Sequence, residues 1–507
     1  MNSITMIDRA TAHTLEGISF SQLFSWEWRR AGRSGLLWLA VALLAASFAW
    51  GIASTASLHR EQSEAQSRMK AYEAERHADV LAHVERFKQP GPELPYWQDP
   101  TNVAGYPRYF MMKNAIKPHL PLSVLAVGGS DLQPHMLPVN LDTLFGIDPV
   151  YDFENPRGLG LGAFDLAFVV TYLMPLLIVA VLALLCTFER DRDLLRLIAA
   201  QPVSPRRWLG ARTLAITCWL VPLIAVAFAF ALWVIGVSLQ SAISEFLTAV
   251  VLLVTYGLFW IALSFVVLSR WPSAAVAMSQ LIAWWLLLTF GAPILVDLAS
   301  SVMSPPPSRI AYIDRQRQVT EELTVNRDRI LADMFAKRPD LAHATGLIPL
   351  LDGVTRNSFF TPEIETRLAS LQSDFEQSRA DRVRVSTWAG YVVPPLGIAQ
   401  AFTVLAGTDA SRHHQYEAQV RHYQLQLRDY FYPLMQREIS APTPRVINGS
   451  MGRFNFDRFD DVPRMQPIDS AAADRVKMVA PLLIWLLVLS AALAGVALRR
   501  LRQWPAL

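Results

Sequence analysis

The chain has 507 residues, and 46 Lys+Arg stand against 43 Asp+Glu for a formal net charge of +3. Hydrophobic residues make up 52% and charged residues 18%, with a mean hydropathy of +0.26, and the apolar excess falls in blocks, as in a polytopic membrane protein. The small net charge excludes an electrostatic case for nucleic acid, and two cysteines in apolar segments, Cys186 and Cys218, exclude a disulfide framework outside the membrane.

Residues 1–34 read as a cytoplasmic N-terminus, disordered to about residue 18. From Ser19 to Arg33, the stretch mixes Phe20, Leu23, Phe24, Trp26 and Trp28 with Arg29, Arg30 and Arg33, which suits a helix lying in the membrane interface. The first span is expected at 35–56. Its end, ASTAS, resembles a signal cleavage site, but the block is preceded by more than 30 residues and holds Trp38 and Trp50, so we read it as an uncleaved helix. Residues 57–163 form a hydrophilic extracytoplasmic domain that opens with a charged helix, Leu58 to Lys88, and then becomes proline-rich.

The second span, 164–188, carries Pro175, and the third, 213–236, carries Pro222; both prolines are read as kinks. Between them lies a short loop, 189–212, with six arginines, which the positive-inside rule places in the cytoplasm. The fourth and fifth spans are expected at 246–268 and 273–302, and a second extracytoplasmic domain at 303–475. Within it, helices are predicted over Arg309–Lys337, from a start at Thr361-Pro362-Glu363, and over His414–Glu438. The apolar stretch 387–407 is interrupted by Pro394-Pro395 and reads as an amphipathic or re-entrant helix against the outer leaflet. The sixth span, 476–498, leads to a tail, 499–507, with Arg499, Arg500 and Arg502. Six spans put both termini in the cytoplasm.

Residues that would carry chemistry are sparse. No phosphate-binding loop ending in Gly-Lys-Ser/Thr occurs, and GLGLG at 158–162 has no lysine. No HExxH or GxSxG pattern is present. His413, His414 and His422 read as a solvated helix face rather than a metal site, and His119 and His135 lack partners at ligand spacing. Two acids, Asp165 and Asp297, sit at the membrane edge, and no buried ion path is evident, so transport would need energy from a partner.

The loop 189–212 is the best-formed candidate site. Glu189-Arg190-Asp191-Arg192-Asp193 alternates in sign, and LLRLIAAQPV then reads as a short amphipathic helix ended by Pro202 and Pro205. Leu194, Leu195, Leu197 and Ile198 would be exposed there without a partner.

These residues carry a resemblance. ERDRDLLRLIAAQPVSPRRWLGARTLA is similar to the cytoplasmic coupling segment of permease subunits of type-2 ABC transporters, which have an acidic-basic run, a Gly-Thr-Leu turn, Pro-Val-Ser/Pro and then a basic residue. Glu189, Leu195, Pro202, Val203, Ser204 and Arg206 match; Asp193-Leu194 replaces the Gly-Thr pair. GAFDLAFVVTYLMPLL and PPLGIAQAFTVLAGTDASRHHQYEAQVRHYQ resemble a permease subgroup with two large extracytoplasmic loops.

The resemblance implies an all-α, six-span exporter half with mainly helical extracytoplasmic domains after spans one and five, multi-pass in a bacterial inner membrane. The interfacial helix would be the elbow helix. ATPase coupling would fall on Glu189, Arg190, Arg192, Asp193, Leu195, Arg196, Pro202, Arg206 and Arg207. The chain would be no enzyme and hold no cofactor; ATP and Mg would bind the partner ATPase subunits. Other partners would be a second, identical or homologous, permease, the lipid bilayer and a periplasmic protein. The alternative function is a mechanotransmitting membrane scaffold or sensor acting on periplasmic partners.

Overall fold

The computed structural model describes residues 18–87, 95–131, 133–141, 164–234, 236, 242–303, 309–437, 439–440, 446–447, 450–451, 456, 458–502 and 504. The first seventeen residues, the GLGLG run and the SPPP segment at 304–307 lie outside the described residues.

A short helix, α1 (Phe20–Gly32), is closed at its start by a capping box. Ser19 Oγ accepts from Gln22 N, and Gln22 Oε1 accepts from Ser19 N at 3.1 Å. Among the described residues, six helices are long and apolar enough to cross a membrane: α2 (Gly35–Phe87), α3 (Leu166–Asp191), α5 (Pro205–Val234), α6 (Ile243–Leu268), α7 (Ala274–Met303) and α13 (Ala472–Arg500). The bundle is built around α6, of whose apolar window 72% is buried against 11% for α7. Trp260 and Tyr256 of α6 are fully buried, and the Tyr256 hydroxyl donates to the Thr171 carbonyl at 3.1 Å. α13, α3 and α5 pack on α6, α2 packs on α5, and α7 lies along α3.

Span one does not end where its apolar block ends. α2 is one continuous helix of 53 residues, so the charged helix expected from Leu58 is its second half. Between Ser57 and Phe87 there is no proline or glycine, and Glu, Ala and Arg are the commonest residues, so falling hydropathy brings no helix breaker. Its inner half buries Leu44, Phe48 and Ile52 in the bundle, and its outer half buries Val80 and Val84 in a second core. Glu73 of the outer half accepts from the backbone and side-chain amides of Asn114 at 2.7 and 2.6 Å, which pins a two-stranded hairpin, β1 (Asn114–Ile116) and β2 (Met136–Pro138), in the register Ala115 opposite Leu137.

The two prolines expected to kink their spans sit differently along them. In α3 the break is a π-turn over Val169–Leu173, and Pro175 stands in the first turn after it, where it needs no amide donor. α5 runs unbroken through Pro222.

A third apolar core is formed by α8 (Arg309–Val325), α9 (Arg327–Lys337) and the start of α10 (Gly353–Val392), around Leu323, Leu331, Phe335, Phe359 and Phe360. The expected start at Thr361-Pro362-Glu363 is corrected. α10 begins earlier, capped by Asp352, whose Oδ1 accepts from Val354 N and Thr355 N at 2.9 and 2.8 Å, and Pro362 lies inside the helix.

Pro394-Pro395 does break the apolar stretch. α10 stops at Val392, and α11 (Pro394–Ala406) starts with proline in its first turn. Thirteen residues reach about 20 Å, short of a bilayer core of about 30 Å. α11 packs into the bundle. Ile398, Phe402 and Leu405 are buried in the main bundle core, and Phe402 meets Phe228 of α5 edge-on at 6.5 Å. The turn into α11 is tight: a Cβ on Gly397 would stand 2.4 Å from the Gly390 carbonyl oxygen.

α12 (Ala410–Arg437) follows and packs its Tyr416, Val420, Tyr423, Leu427 and Phe431 into the second core. At its start, buried Arg412 donates to Asp469 at 2.7 and 3.0 Å, to Gly407 O at 2.8 Å and to Pro118 O at 2.7 Å, joining three distant stretches of chain. Beside it, burial together with His59, His135, Arg412 and Lys117 holds the His119 imidazole down to about 4.

Two outcomes follow for stability in detergent. Gly397→Ala forces a shift of backbone against backbone and lowers unfolding free energy by about 1–3 kcal/mol, whereas Gly495→Ala, with open space around its Cβ, stays near neutral; thermal unfolding compares the two. Because folded His119 resists protonation, the unfolded chain binds the extra proton, so its contribution is complete above about 6.5 and is lost as pH falls from there toward 4. The melting temperature measured from pH 7 to 5 therefore drops, and His119→Gln reduces that slope.

Candidate functional site: the arginine-rich end of the bundle

The loop after α3 turns sharply at one residue. Asp193 adopts φ 57, the left-handed conformation for which glycine is the usual residue, so aspartate fills the place of the Gly in the resembled motif. Leu194 N donates to Glu189 O at 2.9 Å, and α4 (Leu195–Ala199) follows, one and a half turns long, before Pro205 opens α5.

This loop is tied to its neighbours at several points. Asp191 accepts from Ala274 N through both oxygens at 3.2 Å, meeting the orphan donors at the start of α7. Arg206 Nε donates to Leu498 O of α13 at 2.7 Å, and Trp504 Nε1 donates to Val203 O at 3.3 Å. Trp271, between α6 and α7, holds φ 57, a strained setting for a bulky residue. Its ring clusters with Trp208 at 5.8 Å and Trp504 at 5.2 Å, which also meet each other at 6.0 Å.

Behind the loop lies a four-residue ion network. Arg212, 3% exposed, donates to Glu27 of α1 at 2.7 and 3.0 Å and to Glu189 at 2.8 Å through Nη2 and by a second bond through Nη1. Glu189 also accepts from Arg30 of α1. The Arg212 guanidinium lies 4.3 Å from the centre of the Trp208 ring. α1 is thereby bound to both α3 and α5, and Trp28 stacks on Trp219 of α5 at 4.7 Å. A charge group of this kind costs desolvation and holds only when each member is paired.

The expected coupling residues therefore divide. Glu189 and Leu195 point inward and are buried, so neither presents a docking surface. Arg190, Arg192, Asp193, Arg196, Pro202, Arg206 and Arg207 are exposed. Between these cations Leu194 is 38% and Leu197 65% exposed. Sequence reasoning missed Glu27 and took Arg212 only for a topogenic charge. The available signal was Glu27 itself, the one acid in an aromatic and basic helix.

The membrane-edge acids lie at the opposite end and do not join this site. Asp165 caps α3 and accepts from Phe168 N at 2.7 Å and Val127 N at 2.8 Å; burial raises its carboxyl and the two amides lower it, with a net upward shift. Asp297 is exposed and faces Arg382 at 3.7 Å. A second buried pair went unforeseen there: Arg475 of α13 donates to Glu245 of α6 at 2.6 Å. His413 bonds to Glu417 at 3.2 Å, and among the described residues no three metal-ligating side chains gather.

Arg212→Met leaves Glu27 and Glu189 buried without their shared partner and destabilises the bundle by about 3–5 kcal/mol. Arg212→Lys recovers little, since one ammonium does not span two carboxylates bidentately. Chemical unfolding of the purified variants reads both effects.

Comparison with known families agrees with this geometry. A domain of unknown function, DUF3526, matches residues 309–443, from α8 to the end of α12. No curated protein and no solved structure matches the chain. The model of the ABC-2 family transporter protein matches residues 22–344, running from α1 through the five spans α2, α3, α5, α6 and α7 with the loop between α3 and α5, and, with more than half of its length matched, the chain belongs to that family of ABC transporter permeases.

Proposed function

We propose that this permease subunit serves an ATP-driven exporter in a bacterial inner membrane, and that it receives its energy from separate ATPase subunits through the loop between α3 and α5. The observation that carries this reading is the combination of an exposed apolar ridge with a rigid mounting. Leu194 and Leu197 stand among Arg190, Arg192, Arg196, Arg206 and Arg207, a surface suited to an apolar groove with acidic edges. The same loop is fixed to α7 by Asp191, to α13 by Arg206, and to α1 by Glu189. A push on α4 then moves α1, α7 and α13 together rather than bending a loop.

In this reading ATP and Mg bind the partner, and the chain is no enzyme. A second permease copy, identical or homologous, completes the translocator, both termini face the cytoplasm, and the domain carrying α8 to α12 faces the periplasm, where it meets a periplasmic protein. A mechanotransmitting role is the second reading. It is favoured by α11, which seats the hydrophilic region in the bundle core, so that motion of the spans reaches that region directly.

The test keeps the buried network intact. Leu197→Asp combined with Arg196→Glu is expected to insert and purify normally, yet to recover the ATPase subunit at less than about a tenth of the wild-type yield in affinity pull-down from membranes. Undiminished recovery of the ATPase would overturn the proposed docking surface.

A further inference from the structure

A cleft of about 360 Å³ opens beside the ion network, between α1, the end of α3 and the start of α5. That is roughly ten times the share of one water molecule. One wall carries Glu27, Arg30 and Ala31 of α1, with Arg30 and Ala31 three and four residues after Glu27 on one helix face, and Ser34 from the junction before α2. The opposite wall sets an apolar patch, Leu185, Phe188 and Ile216, beside the paired Glu189 and Arg212. The cleft thus has charged groups on an amphipathic helix and at the ends of two membrane spans, with an apolar patch on those same spans.

The charges on the polar wall are balanced and not used up. Arg30 directs one donor to Glu189, while its side chain remains 40% exposed and offers further N–H groups. Glu27 accepts two bonds from Arg212, half of a carboxylate's lone-pair capacity. A purely anionic guest would meet both carboxylates, and a purely cationic one would meet Arg30. A guest carrying both signs, with an N–H donor cation and an apolar tail, satisfies the wall and the opposite face together.

We propose that this cleft binds the headgroup of an ethanolamine phospholipid from the leaflet at the arginine-rich end, with the phosphate on Arg30 and the ammonium on Glu27. The bound lipid braces α1 against α3 and α5. This assignment requires only that the chain spans a membrane and does not depend on the direction of transport.

The test is native mass spectrometry of the full-length protein, delipidated in detergent and titrated with phosphatidylethanolamine, phosphatidylglycerol or phosphatidylcholine, and with inorganic phosphate as competitor. Phosphatidylethanolamine is expected to bind most tightly, because phosphatidylcholine has no N–H donor and phosphatidylglycerol no cation. Arg30→Gln weakens it about tenfold or more. Leu185→Trp fills the apolar wall without touching the ion network and causes a loss of the same order, so the proposal stays testable if Arg30→Gln fails to fold. Equal phosphatidylethanolamine binding by wild type and Leu185→Trp would overturn the site. Phosphatidylglycerol binding as tight as phosphatidylethanolamine would overturn the assignment of the headgroup, and displacement by inorganic phosphate would make it a free-phosphate site instead.

Discussion

The arginine-rich end is organised by one buried guanidinium. Arg212 takes two carboxylates from two different helices, and its planar fork matches both at once. Removing such a group from water is expensive, so the arrangement adds little net stability against an apolar alternative. What it provides is placement. Only one docking of α1 on α3 and α5 pairs every charge, and any sliding of α1 leaves a carboxylate buried alone. The aromatic contacts of Trp28, Trp38 and Trp219 supply the attraction, and the ions choose the register.

This arrangement changes the meaning of Glu189. By sequence it begins the charged loop and looks like the first residue a partner would touch. In the fold it is the residue behind the loop, joined to Arg30 and Arg212, while the outward surface is made by Leu194, Leu197 and the surrounding arginines. A charge change at Glu189 therefore alters the mounting rather than the contact face. The left-handed residues Asp193 and Trp271 belong to the same mounting, one turning the chain out of α3 and the other holding the entry to α7.

What the sequence made legible follows from which signals are local. Long apolar runs reveal membrane helices because a bilayer imposes a length. The short helix α4 was readable because Pro202 and Pro205 punctuate it, and α11 because Pro394 and Pro395 do. The end of α2 was misjudged because a change from apolar to charged residues is not a change of backbone preference. The start of α10 was misjudged because Thr361-Pro362-Glu363 is a good local start, yet Asp352 supplies an earlier cap. The ion network was illegible for a different reason: Glu27 and Arg212 lie 185 residues apart, and nothing local pairs them.

The unbroken α2 has a consequence for cooperativity. A joint between a membrane bundle and a water-facing domain normally lets each melt by itself. Here one helix contributes Phe48 and Ile52 to the membrane core and Val80 and Val84 to the aqueous core, with no break between them. Fraying that begins in water removes hydrogen-bonded turns that the buried half props up, and loosening in the bilayer does the reverse. The helix is nucleated once for both compartments, so lipid thickness and aqueous solvent conditions act on a single shared unfolding equilibrium.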